Sequence, residues 1–89
     1  MNSSLLSPVA RVILISGANR GLGRAIAECL YGEGYSLSLG ARKPESLEPL
    51  IEHMESSRIL TYAYDARIAQ SSVDWVMATF NWFGRHYRH

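Results

Sequence analysis

The sequence predicts an α/β fold in which three parallel strands alternate with helices, and two observations favour it. Short runs of β-branched and apolar residues alternate with segments whose apolar residues recur at helical spacing. The connections between them are short, which is typical of a parallel sheet with right-handed crossovers. A chain of 89 residues has room for one small domain. We therefore expect a Rossmann-type half, with strand order 3-2-1 and alternating helices.

The first strand and the first helix flank a cluster of glycines. Residues 11–16 form a β-branched run, which suits a strand buried on both faces. A helix is predicted from Gly21 to about Glu33, where Gly32 and Gly34 end it. Its apolar face is expected to carry Leu22, Ile26, Cys29 and Leu30. Cys29 is interpreted as a packing residue.

The middle of the chain predicts a strand, a helix and a further strand. Residues 35–41 alternate Tyr and Leu with small residues, and residues 58–64 are rich in β-formers. Between them a helix is expected from about Ser46, its N-cap, with Pro49 in the first turn. The apolar face of this helix carries Leu47, Leu50, Ile51 and Met54.

The last helix is predicted from a capping box formed by Ser71 and Asp74, and it extends to about Phe83. One stripe of this helix carries Val73, Val76, Met77 and Phe80, and a second carries Trp75 and Trp82. The tryptophans are either packing residues or an exposed patch that a partner would cover. The domain is expected to span residues 11–85, with a frayed N-terminus at 1–10 and a tail at 86–89.

Composition excludes several classes of function. Nine Lys and Arg against eight Asp and Glu give a net charge of +1, which argues against a nucleic-acid partner. The longest aliphatic run, residues 12–15, is too short for a membrane helix. A single cysteine and no secretory signal favour a cytoplasmic location. The three histidines, His53, His86 and His89, have no supporting ligands, so no metal site is expected.

The segment from Ser16 to Gly23 joins the first strand to the first helix and predicts a phosphate site. A helix that begins at glycines leaves its free N–H groups, with a partial positive charge, facing open space. Gly17 permits a sharp turn, Gly21 lets the backbone approach a phosphate, and Gly23 lets helix and strand pack closely. The spacing is Gly-x-x-x-Gly-x-Gly, and an ordinary turn is the alternative.

The residues after the second strand favour NADP(H) over NAD(H). Sites for NAD usually place Asp or Glu there to hold the ribose 2′-hydroxyl, whereas this chain reads Ala41, Arg42 and Lys43. A guanidinium pairs with a 2′-phosphate that a carboxylate would repel, and Arg20 can approach the same phosphate. The alternative is that both arginines are solvated loop cations.

Asp65 follows the third strand, whose carboxyl end faces the ligand crevice in such sheets. Its carboxylate could accept a hydrogen bond from an adenine amino group. Capping of the next helix, or a salt bridge with Arg67, explains the spacing equally well.

Together these residues resemble the short-chain dehydrogenase/reductase family from about Arg11 to Arg85. Residues 11–23, RVILISGANRGLG, are similar to the family's opening strand and Thr-Gly-x-x-x-Gly-x-Gly turn, with Ser16 in the place of Thr. The resemblance implies that the pyrophosphate and adenosine-ribose site comprises Gly17, Asn19, Arg20, Gly21, Leu22 and Gly23. It also implies an NADP-preferring pair at Ala41 and Arg42, and an adenine-flanking pair at Asp65 and Ala66.

The resemblance also implies what the chain lacks. The sequence contains neither the family's Asn-Asn-Ala-Gly nor its Tyr-x-x-x-Lys, since Lys43 is the only lysine. We therefore expect the cofactor-binding half of an NADP(H) oxidoreductase, a truncated or frameshifted product that is inactive alone. The alternatives are a non-catalytic dinucleotide-binding or interaction fragment and a methyl-donor site, although Arg42 counts against the latter. We also expect self-association through the open edge of the first strand or the face of Trp75 and Trp82.

Overall fold

The computed structural model describes residues 11–87, with side chains described as far as Gly84. The predicted frayed N-terminus, residues 1–10, lies outside the described residues, as do residues 88 and 89 of the predicted tail. In chain order the elements are β1 (Val12–Ser16), α1 (Gly21–Gly32), β2 (Ser36–Ala41), α2 (Glu48–Ile51), β3 (Ile59–Ala63) and α3 (Ala69–Tyr87).

The strands form one parallel sheet in the order β1-β2-β3, which confirms the predicted fold class and strand order. In the register of the sheet, Ile13 lies opposite Leu37, and Leu37 lies opposite Ile59. Because neighbouring residues in this register point to the same face, these three side chains share one side of the sheet. That side carries the main hydrophobic core.

The alternation along β2 separates two faces of different character. Leu37 and Leu39 are fully buried in the core, together with Ala18, Ala27, Leu47, Leu50 and Ile59. The residues that alternate with these two leucines, Ser38 and Gly40, face α3, where the indole of Trp75 packs on them. Small residues on this face let a large ring approach the sheet closely.

A closed set of hydrogen bonds satisfies the buried polar groups between β2 and α3. The Trp75 indole N–H donates to Ser38 Oγ at 2.8 Å, and the Thr79 hydroxyl donates to the Trp75 carbonyl oxygen at 2.8 Å. Ser38 Oγ and Thr79 Oγ1 lie 2.7 Å apart. Since the Thr79 proton is already used, Ser38 is the donor of this last bond. All three polar side chains therefore have partners away from water.

Strand β1 differs from the prediction that it is buried on both faces. Ile13 and Ile15 pack against the core, but Leu14 on the other face is 40% exposed. The reason is its position, because β1 lies at the edge of the described sheet and α3 packs over β2 and β3 instead.

Helix α1 buries only part of the predicted apolar face, since Leu30 packs against the core and Leu22, Ile26 and Cys29 do not. Ala27 is its fully buried residue and Leu30 is half-buried, whereas Leu22 and Ile26 are 75% and 42% exposed. Cys29 is also exposed, so its interpretation as a packing residue was wrong. The helix contacts the core through Ala27, Leu30 and Tyr31, and Leu22 and Ile26 lie outside this contact.

The segment between β2 and β3 begins earlier than predicted. A 3₁₀ turn at Pro44–Leu47 precedes the short helix α2, and Ser46 lies inside that turn. Its hydroxyl donates to the Lys43 carbonyl oxygen at 2.7 Å and caps no N–H group, so the predicted N-cap is wrong. Pro49 lies in the first turn of α2, as predicted, where it forfeits no helical hydrogen bond.

Helix α3 begins before the predicted capping box and extends beyond its predicted end. It starts at Ala69, and Ser71 Oγ accepts a hydrogen bond from the Asp65 backbone N–H at 2.9 Å, so Ser71 is not an N-cap. The buried face carries Trp75, Thr79 and Phe83. Trp82 is half-buried, with its ring 4.7 Å from that of Phe83. The exposed apolar stripe comprises Val73, Val76, Met77 and Phe80.

Candidate functional site

The carboxyl ends of the three strands meet at one edge of the sheet and form a cleft of about 1300 Å³. Hydrogen bonds continue the ladder beyond the strands, from the Gly17 N–H to the Gly40 carbonyl oxygen at 3.3 Å and from the Tyr64 N–H to the Ala41 carbonyl oxygen at 2.9 Å. These bonds align the loop after each strand with its neighbour. The loops therefore form one continuous lining.

The glycine turn after β1 has the backbone geometry that its sequence predicted. Gly17 and Gly21 have φ angles of +70° and +62°, a region that other residues adopt only with strain. Both line the cleft, and a Cβ on either would meet open space. A Cβ on Gly23 would lie 2.3 Å from the Gly17 carbonyl oxygen, so only glycine lets α1 approach the turn this closely.

The N-terminus of α1 opens onto the cleft without a side-chain cap. Arg20, the N-cap residue, is extended and makes no capping hydrogen bond, and the first turn contains no acidic residue. The first N–H groups of a helix have no partner within it, and they carry a partial positive charge. This end of the cleft therefore suits an anion.

Positive charge dominates the rest of the cleft. Arg20, Arg42 and Lys43 line it, and all three are exposed. None of them forms an ion pair with a carboxylate of the described residues. The Ser46 hydroxyl, bound to the Lys43 carbonyl oxygen, holds the turn that carries two of these cations. Their charge is available to a ligand.

Asp65 lies in the cleft and is held by Arg67. Arg67 Nε donates to Oδ1 at 3.0 Å, Nη2 donates to Oδ2 at 2.8 Å, and the Arg67 backbone N–H also donates to Oδ1 at 3.0 Å. These hydrogen bonds lower the pKa of Asp65 from 3.8 to about 2. Of the interpretations left open, the structure shows the salt bridge with Arg67 and not a cap on α3.

The structure brings most of the predicted site residues together. Those lining the cleft are Gly17, Asn19, Arg20, Gly21, Ala41, Arg42, Asp65 and Ala66. Leu22 and Gly23 do not line it, since Leu22 points outward and Gly23 packs under the turn. Lining residues that the sequence reasoning did not assign to the site are Ser16, Gly40, Lys43, Ser46, Tyr64 and Arg67. Position next to a strand end is the signal that could have found Ser16, Gly40 and Tyr64.

Tyr64 and Gly40 form a wall of the cleft that Trp75 supports from behind. The Tyr64 and Trp75 rings lie 4.5 Å apart at their centroids, and a Cβ on Gly40 would lie 2.9 Å from Trp75 Cη2.

Elsewhere in the described part of the chain, no cluster of three or more His, Cys, Asp or Glu side chains could hold a metal ion. No described helix is both long and apolar enough to cross a membrane.

Comparison with protein families identifies the fold. A family model described as short chain dehydrogenase matches residues 11–85. The chain belongs to the short-chain dehydrogenase family. A short-chain dehydrogenase/reductase from Brucella melitensis has a similar structure, with a TM-score of 0.77 and 32% identity over 89% of this chain and 33% of that one. The predicted family is thus confirmed. It is a family of oxidoreductases that bind a nicotinamide dinucleotide.

Two curated relatives match most of this chain. Agropine synthesis reductase from Rhizobium rhizogenes is 48% identical over 75 residues, which are 83% of this chain and 17% of the relative. Oxidoreductase BOA17 from Botryotinia fuckeliana is 34% identical over 77 residues, 86% of this chain and 28% of the relative. The chain therefore spans less than a third of the length of these relatives.

Proposed function

We propose that this chain binds NADP(H) through the adenosine end of the cofactor, within an NADP(H)-dependent oxidoreductase. The observation that carries the proposal is the set of three unpaired cations, Arg20, Arg42 and Lys43, around a cleft with no acid directly after β2. An NAD site would place a carboxylate there for the ribose hydroxyls. A phosphate monoester carries about −1.5 to −2 charge, so it gains most from this cluster.

The lining residues fit the remaining groups of such a cofactor. The uncapped N-terminus of α1, with Gly17 and Gly21 in positive-φ conformations, would hold the pyrophosphate. Arg20 and Arg42 would pair with the 2′-phosphate. The ionised carboxylate of Asp65 would accept a hydrogen bond from the adenine amino group, with Ala66 beside the ring.

The cofactor supplies hydride chemistry when it is bound. The residues of this chain bind its adenosine half and set its orientation, and none of them is assigned to substrate or to proton transfer. Relatives carry names of reductases and of an oxidoreductase, which supports a redox role for a protein that contains this chain.

The test of cofactor preference is Arg42→Ala. We expect this variant to weaken NADPH binding by roughly 1–3 kcal/mol, or about 5- to 150-fold, and to leave NADH binding nearly unchanged. The measurement is calorimetric titration of the 89-residue chain with both cofactors. Arg24→Ala is the matched control, because Arg24 lies on α1 outside the cleft and pairs with Glu28 at 3.7 Å. Equal affinity of the unmodified chain for NADPH and NADH would refute the proposal.

A second candidate function is a non-catalytic dinucleotide-binding or interaction module. The sequence favours it in one respect, because it contains no Tyr-x-x-x-Lys to act on a substrate carbonyl. The two candidates bind the same cofactor and differ in turnover, which a substrate panel measures.

The cytoplasmic location stays a prediction.

We also propose that the chain associates with itself through the open edge of β1 and the apolar surface beside it. The open edge of β1 has no partner among the described strands, and Leu14 beside it is 40% exposed. Of the two interpretations of the tryptophans, packing holds for Trp75, which is buried, and Trp82 is half-buried. The exposed apolar residues of α3 are Val73, Val76, Met77 and Phe80. Light scattering after gel filtration tests this, and a monodisperse monomer of 10.0 kDa would contradict it.

A further inference from the structure

Asp65 poses an electrostatic problem for a cleft that takes a phosphate monoester. It is the acidic residue among the side chains that line the cleft, and its carboxylate is ionised. It is also close enough to Arg42 for the charge of that guanidinium to lower its pKa. An unpaired carboxylate in this position would repel a 2′-phosphate and would compete with it for Arg42.

Arg67 forms an ion pair with this carboxylate. Its guanidinium faces the carboxylate in a two-pronged pair, with donor–acceptor distances of 3.0 and 2.8 Å, and so brings the net charge of the pair to zero. The pair is fixed in the loop, because the Arg67 backbone N–H donates to Asp65 and the Asp65 N–H donates to Ser71 Oγ on α3. The carboxylate therefore keeps one orientation in the cleft.

We propose that Arg67 determines cofactor specificity by neutralising Asp65, so that the cleft accepts the 2′-phosphate while Asp65 stays in place for adenine. The proposal rests on the proposed NADP(H) function. In this proposal Arg67 acts through Asp65, whose carboxylate its Nε and Nη2 bind, and the double variant described below separates this role from direct contact with the phosphate. Arg67 differs in this from Arg20 and Arg42, which have no carboxylate partner among the described residues.

The experiment measures the ratio of NADP⁺ to NAD⁺ affinity by calorimetric titration of the 89-residue chain. Arg67→Gln removes the positive charge and uncovers Asp65, so we expect the ratio to fall about two- to sixfold at low ionic strength. In 0.5 M salt the fall should shrink to less than about twofold, because exposed charges are then screened. Arg67→Lys keeps the charge, and we expect it to retain most of the original ratio. Circular dichroism establishes that each variant is folded.

The second variant separates neutralisation from direct contact. Adding Asp65→Asn to Arg67→Gln removes the uncovered charge, and we expect the ratio to return to within about twofold of the original. Arg24→Gln, outside the cleft, should not change it. An unchanged ratio in Arg67→Gln would overturn the inference. A fall that the second substitution does not restore would also overturn it, because Arg67 would then contact the phosphate itself.

Failure of the underlying proposal has a different signature. If the unmodified chain shows no preference for NADP⁺, the proposed function is refuted and this inference with it. If the unmodified chain prefers NADP⁺ and only the Arg67 variants depart from expectation, the inference alone is refuted.

Discussion

Gly40 lies against the indole of Trp75, and one added methyl group there tests the packing behind the cleft wall. In Gly40→Ala the new Cβ would lie 2.9 Å from both Cζ2 and Cη2 of Trp75 and 3.0 Å from the Cβ of Tyr64. Separations this short are not tolerated, so the ring has to move. Overpacking of this kind costs about 1–3 kcal/mol.

The indole has little freedom to move, because its N–H is bound to Ser38 Oγ at 2.8 Å. A shift that strains this bond adds a cost of order 1 kcal/mol, whereas the loss of glycine's freedom in the unfolded chain returns about 0.4–1 kcal/mol. The two terms nearly cancel. We therefore expect Gly40→Ala to lower the free energy of unfolding by about 1–3 kcal/mol.

The assay is urea unfolding followed by far-ultraviolet circular dichroism, arranged as a double-mutant cycle. Trp75→Phe removes the two outer ring atoms that the new methyl group meets and leaves its 3.0 Å approach to the Tyr64 Cβ, so Gly40→Ala should cost clearly less in that background than in the unmodified chain. Gly32→Ala is the matched control, because its Cβ would meet no atom within 4 Å, and we expect a neutral or slightly stabilising effect. A cost for Gly40→Ala that is zero, or equal in both backgrounds, would refute the packing argument.

Three other predictions concern different parts of the chain. Arg58→Ala should lower the free energy of unfolding by about 1–3 kcal/mol, because the guanidinium donates to the carbonyl oxygens of Tyr31 and Tyr35 and lies 3.8 Å from the Tyr31 ring centroid; an unchanged urea midpoint would contradict this. The pKa of Asp65 is low in the fold, at about 2 against 3.8, so its pair with Arg67 stabilises the fold above pH 3.8 and loses that effect as the pH falls toward 2. The difference in unfolding free energy between the unmodified chain and Arg67→Gln should therefore be constant from about pH 7 to 5 and shrink in acid. Finally, the purified chain should oxidise no NADPH with a panel of carbonyl compounds, and reproducible turnover would show that it holds its own proton donor.

Topology and the glycine turn could be predicted because they depend on local chemistry. The alternation of residues 35–41 and the aliphatic run before Gly17 define strands whatever lies around them, and short connections leave few ways to join the strands. The positive φ angles at Gly17 and Gly21 follow from the same turn. Residues at the carboxyl ends of the strands were predicted to meet, and the hydrogen bonds between the loops bring them together.

Burial of the helix faces could not be predicted because periodicity alone leaves more than one apolar face available. On α1 the sequence offers Leu22 and Ile26, but the helix approaches the turn closely at Gly23 and buries Ala27 and Leu30, which leaves Leu22 and Ile26 exposed. Which residues of α1 are buried depends on how closely its backbone approaches the turn in the folded state, and the hydropathy pattern does not give that distance. Cys29 was misplaced for the same reason.

The choice of face on α3 has a consequence for the site. Of its apolar stripes, the sheet accepts the one with Trp75, because β2 presents small residues, Ser38 and Gly40, that fit an indole and satisfy its N–H. A stripe of aliphatic residues would leave the Ser38 hydroxyl without its partner in the low-dielectric interior, at a cost of about 1–3 kcal/mol. Trp75 in turn supports Gly40 and Tyr64, which line the cleft. The buried hydroxyl of Ser38, which favours this face of α3, therefore also positions the wall of the cleft.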